Sequence, residues 1–184
     1  MSFKKFIIIP IIVASLAFTI QIVDQLLHAS VPPLGNSGFG WIAFQSWALY
    51  FVAGGTVNGG IKTFLSYLVG IGASIAIMII GKSAGDGLGF FAFPFAVGLV
   101  VVPCMCLERT KWLDFIPAIF VASGAFFAFM NYIPGADYTG AAITETLYAL
   151  IGIIYGFVTV TLRTAYEKKA TSNKEIETEK ETLV

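Results

Sequence analysis

Six stretches of this chain are apolar enough to lie in a lipid bilayer, and together they leave little sequence for anything else. A membrane helix needs about 20 mostly apolar residues. Residues 6–27, 40–57, 63–81, 88–107, 113–133 and 141–162 approach that length, the second being the weakest because it ends in Gly54-Gly55-Thr56-Val57-Asn58-Gly59-Gly60. Between the spans lie turn formers: Val31-Pro32-Pro33-Leu34-Gly35-Asn36, Ala84-Gly85-Asp86-Gly87 and Ile133-Pro134-Gly135-Ala136-Asp137. The loops are short, so residues 1–163 read as one six-helix transmembrane domain and 164–184 as a charged tail.

Composition points the same way. Of 184 residues, 57% are hydrophobic and 12% charged, against about 25% charged in soluble domains. Lipid is the solvent such a surface needs. Net charge is zero, which gives no footprint for nucleic acid. Lys4 and Lys5 before an apolar run imitate a signal peptide, but the run is long and Asp24 and Gln25 fall where a cleavage region is small and neutral. A retained first helix is expected.

Lysine and arginine set orientation, because they accumulate in cytoplasmic loops. With the N-terminus inside, Lys4, Lys5, Lys62, Arg109, Lys111, Arg163, Lys168, Lys169, Lys174 and Lys180 all fall inside, and Lys82 falls outside. Both ends are therefore expected in the cytoplasm. The tail carries too few apolar residues for a core and reads as a solvated helix or a disordered segment. Its end, Thr182-Leu183-Val184, resembles a C-terminal peptide ligand too short to outweigh that reading.

The chain partly repeats itself at a spacing of about 82 residues. Ala43-Phe44 aligns with Ala125-Phe126, Tyr50 with Tyr132, and Ile61 with Ile143. Leu65, Leu68, Gly70 and Ile71 align with Leu147, Leu150, Gly152 and Ile153. Three helices per half is an odd number, so the halves would insert in opposite senses. Such 3+3 inverted repeats place a solute path at the repeat interface.

Polar residues inside the spans fall into two stripes. Gln21, Asp24, Gln25 and His28 share one face of the first helix, and Glu145, Tyr148, Gly152, Tyr155 and Thr159 share one face of the last. A water-lined path would run along them, with Tyr50, Tyr132, Phe126, Phe127 and Phe129 as an aromatic constriction. The bland alternative is that the stripes hydrogen-bond between helices and the aromatics pack. Ser66, Gly70 and Ser74, at four-residue spacing, and Gly152 read as helix-packing positions. Cys104 and Cys106 lie on opposite sides of one helix and cannot chelate a metal together. The glycine run before Lys62 lacks the Gly-Lys-Ser/Thr ending of a phosphate loop. No nucleophile–base arrangement stands out, so neither an enzyme, a cofactor nor a metal is expected.

At Gly38-Phe39-Gly40-Trp41, Tyr50-Phe51-Val52-Ala53 and Gly59-Gly60-Ile61-Lys62 the chain resembles a bacterial inner-membrane family, domain of unknown function 1097 (DUF1097). The resemblance runs over about residues 16–162. It implies a plasma-membrane setting and a helical bundle, and carries over no functional residues. From the residues themselves, the leading expectation is a channel or facilitator for a small solute (a weak acid, ammonium, a urea-like molecule or a cation), working as a homo-oligomer in the lipid bilayer. A proton- or cation-coupled transporter using Asp24 or Glu145 is the second. A structural or assembly subunit with its tail as a partner site is the third.

Overall fold

A computed structural model describes residues 3–36 and 38–182, with Lys4, Lys5 and residues 170–182 described by backbone alone. Leu183 and Val184, on which the peptide-ligand reading partly rests, lie outside the described residues. Six main helices follow one another: α1 (Ile8–Leu27), α2 (Gly40–Val52), α3 (Val57–Ser83), α4 (Ala92–Cys106), α5 (Ile116–Tyr132) and α6 (Tyr138–Thr182). Among the described residues there is no strand.

Four helical runs are long and apolar enough to cross a membrane: Ile8–Leu27, Val57–Ser83, Gly85–Arg109 and Tyr138–Lys169. The third is broken at both ends, by a turn at Gly85–Leu88 and by 3-10 turns at Gly89–Phe91 and Leu107–Arg109. Two helices fall short of the expected spans. α5 has 17 residues and starts late because Pro117 sits in its first turn, where a missing N–H costs nothing. α2 has 13 residues, a rise of about 20 Å against a hydrocarbon core of about 30 Å.

The glycine run explains the short α2. Gly54 and Gly55 take φ of +91° and +63°, which L side chains rarely adopt, and this reverses the chain. Thr56 then caps α3, its hydroxyl accepting from the Gly59 N–H at 3.0 Å. α3 therefore begins six residues before the expected span. At the same end Lys62 pairs with Asp114 at 2.7 Å, tying α3 to the segment before α5.

The arrangement has an inner group and two outriders. α6 packs most extensively on α2, and α3 on α5. Both contacts are close because glycines make them. A Cβ on Gly70 would stand 2.3 Å from the Ile119 carbonyl oxygen, and one on Gly152 would stand 2.0 Å from that of Ala43. Ser123 on α5 donates to the Gly70 carbonyl at 3.0 Å, and Ser74 donates to it at 2.9 Å. α4 packs broadly on α3, and α1 more lightly on α6, so each flanks this group and leaves one face open. Ile11, Phe18 and Leu26 on α1 and Phe95, Leu99 and Val102 on α4 are exposed, a surface suited to lipid rather than water.

Candidate functional site

The structure draws the two expected stripes together through one member of each, Asp24 and Tyr148. Of the first stripe only Asp24 turns inward; Gln21, Gln25 and His28 are exposed, and the His28 Nδ1 lies 2.6 Å from the Gln25 carbonyl. Asp24 is 0% exposed. Its carboxylate accepts from the Gly38 N–H at 2.9 Å, the Phe39 N–H at 3.0 Å and the Tyr148 hydroxyl at 2.6 Å.

Those three donors explain the carboxylate's place. Gly38 and Phe39 lead into α2, and a helix start presents unpaired N–H groups and partial positive charge. Backbone N–H groups turned away from water need partners in the protein. Asp24 supplies one, and through Tyr148 it fastens that junction to α6. Phe39 is buried between two rings, stacked on Phe129 with centroids 5.1 Å apart and edge-on to Tyr148 at 5.9 Å. The Thr144 hydroxyl donates to the Pro32 carbonyl, so Pro32 is held against this end of α6.

Asp24→Asn keeps the shape and turns an acceptor edge into a donor facing donors. Losing buried hydrogen bonds of this kind costs about 1–3 kcal/mol. The expected outcome is a lower thermal midpoint in detergent, read by loss of the monodisperse peak on heating. A variant as stable as the parent would remove the anchoring role.

Glu145 stands between Thr144 and Tyr148 in chain order and is the counter-example to Asp24. It is 0% exposed, and neither carboxyl oxygen has a hydrogen-bond partner among the described residues. Tyr67 of α3 is buried within Coulombic reach of it, and the Tyr67 hydroxyl and the Ser66 hydroxyl are also without partners. Tyr67 belongs to the apolar and aromatic core that also holds Ile42, Phe126, Phe129, Tyr148 and Ala149.

The other expected residues scatter. Tyr50 is buried, but at the far end of α2, where its ring lies against Gly60 and Gly156. Tyr155 donates to Thr19 of α1 at 3.1 Å and packs its ring on Trp47. Tyr132 is 82% exposed, away from the Glu145 group. Phe127 meets Phe93 of α4. Ser66, Gly70, Ser74 and Gly152 are all buried in helix contacts. Tyr67 was not singled out in the sequence, though it shares the helical face of Thr63, Gly70 and Ser74, and a lone tyrosine on a small-residue face was the available signal.

Apolar helices, four of them long enough to cross a bilayer, around a few buried polar groups define a membrane-type helical protein. Its family is the one described as "Protein of unknown function (DUF1097)", which matches residues 19–164, most of the chain, and to which the chain belongs. No curated protein and no solved structure matches it.

Proposed function

We propose that this protein carries a small solute across the membrane, with Glu145 binding a proton or small cation as part of the cycle. The observation that carries the reading is a wholly buried carboxyl group with neither oxygen partnered. A charged side chain at the centre of a membrane helix costs about 2.5–3.5 kcal/mol on insertion scales, and such residues mark ion or proton pathways. Glu145 has two ways to remain where it is: it holds a proton, or it meets a cation that arrives. Asp24 needs neither, since three donors already face it, and we assign it to anchoring. Thr144 and Tyr148, on either side of Glu145, are themselves engaged, by the Pro32 carbonyl and by Asp24. A bundle closed over its binding group suits a coupled carrier better than a standing channel.

In this reading all six helices lie at membrane depth, the short α2 being flanked by the buried Val31 and Phe39, and the halves α1–α3 and α4–α6 form an inverted repeat. Its support is the crosswise packing: the third helix of each half presses a glycine, Gly70 or Gly152, onto the second helix of the other. The positive residues favour a bacterial plasma membrane with both ends cytoplasmic, and the apolar outer faces leave room for association of copies. No catalytic step, cofactor or nucleic acid enters this reading.

The test is flux. Full-length protein in liposomes should take up at least one member of a panel of ammonium, small amines, alkali cations and weak acids, and a proton gradient should drive accumulation. Uptake no faster than in protein-free liposomes across that panel would overturn the proposal.

A further inference from the structure

Away from Glu145, at the end of the bundle that carries Lys62, Arg163, Lys168 and Lys169, α1 and α6 are separated by a cleft. Two adjoining grooves form it, of about 480 and about 450 Å³. Both are lined by Ile9, Val13 and Arg163; Val160 walls the first, and Ala14 and Ala17 the second. The helices meet again further along, where Tyr155 reaches Thr19. The cleft is thus apolar in its depth and cationic at its mouth. Arg163 is held there through its Nε, which donates to Glu167 one turn on at 2.9 Å, and Lys168 and Lys169 are exposed just beyond.

We propose that this cleft is a binding site for one anionic phospholipid, its phosphate on the Arg163 guanidinium and an acyl chain along Val13 and Val160. A head that must be negative and a tail that must be greasy are what the two parts of the cleft select, and guanidinium matches phosphate oxygens two at a time. Basic pockets between membrane helices on the cytoplasmic side bind anionic headgroups in this way. A second copy of the chain would match the apolar walls but would have to bring an acid to Arg163, and the acid that α1 and α4 hold between them, Asp24, is buried.

The full chain, purified in neutral detergent, is titrated with phosphatidylglycerol or phosphatidylcholine, and bound lipid is counted by native mass spectrometry. One phosphatidylglycerol should bind at least fivefold more tightly than phosphatidylcholine. Arg163→Gln should erase that preference. Ala17→Trp, which fills the cleft, should weaken both lipids, while Lys169→Gln, beyond the cleft, should change either by less than twofold. Equal binding of the two lipids by the parent protein, an unchanged preference in Arg163→Gln, or a dimer that excludes lipid would each overturn the site. Should Ala17→Trp fail to fold, the Arg163→Gln comparison decides alone.

Discussion

Glu145→Gln is expected to lower proteoliposome uptake at least tenfold while leaving the protein folded. Glutamine keeps the size and hydrogen-bonding shape of a protonated glutamate but can neither release the proton nor offer charge to a cation. The protein should therefore be locked in the packing described, not dismantled. Its stability should equal or exceed that of the parent, because the substitution removes a group whose ionised form would stand uncompensated inside the bundle. That combination separates a functional carboxyl from a structural one. Asp24→Asn should do the reverse, lowering stability first and activity only as far as the fold loosens. If Glu145→Gln protein moves solute as fast as the parent, Glu145 takes no part in transport. If it fails to fold, the group is a structural partner whose contacts have been underrated. Glu145→Asp adds a finer reading, since it retains charge but draws it back from Tyr67. It should keep coupling with reduced uptake.

How far these residues could be read from sequence depends on what sort of information each required. The helical runs were plain, because apolar stretches of span length leave the chain few options. Their ends were not, since they turn on single side chains: Thr56 starts α3 early, Pro117 starts α5 late, and Gly54-Gly55 stops α2. The face of α6 that carries Glu145 and Tyr148 was legible from helical periodicity. The matching face of α1 was misleading in part. Its four polar residues share an arc, but an arc does not say where the neighbouring helix stands, and only Asp24 meets α6. Nor could spacing tell a satisfied carboxylate from an orphaned one. The donors to Asp24 are two backbone N–H groups and a tyrosine 124 positions away, and Tyr67, beside Glu145, comes from the other half of the chain. Tyr132 and Tyr50 align in the repeat, yet one is exposed and the other buried, and the two second helices differ in length, 17 residues against 13.

Gly152→Leu should abolish the folded protein, and Gly152→Ala should cost more than the overpacking of an ordinary core position, about 1–3 kcal/mol. The reason lies in what the new atom meets. A Cβ at Gly152 would stand 2.0 Å from both the Ala43 carbonyl oxygen and the Ser46 hydroxyl, and a backbone carbonyl in mid-helix cannot swing aside as a side chain can. α2 would have to move off α6, and with it the Gly38–Phe39 junction held by Asp24 and Tyr148. Gly70→Ala should follow the same course, since its Cβ would meet the Ile119 carbonyl at 2.3 Å and the Ala122 Cβ at 2.7 Å. Gly72→Ala and Gly124→Ala are the controls. Neither Cβ would find an atom within 4 Å, and alanine in place of a helical glycine is favourable by up to about 1 kcal/mol. Thermal midpoints in detergent would rank the four variants, with Gly152→Ala and Gly70→Ala well below the parent and the two controls at or above it. Equal midpoints for all four would mean that the helices are not in contact at these glycines, and the crosswise packing of the two halves would lose its footing.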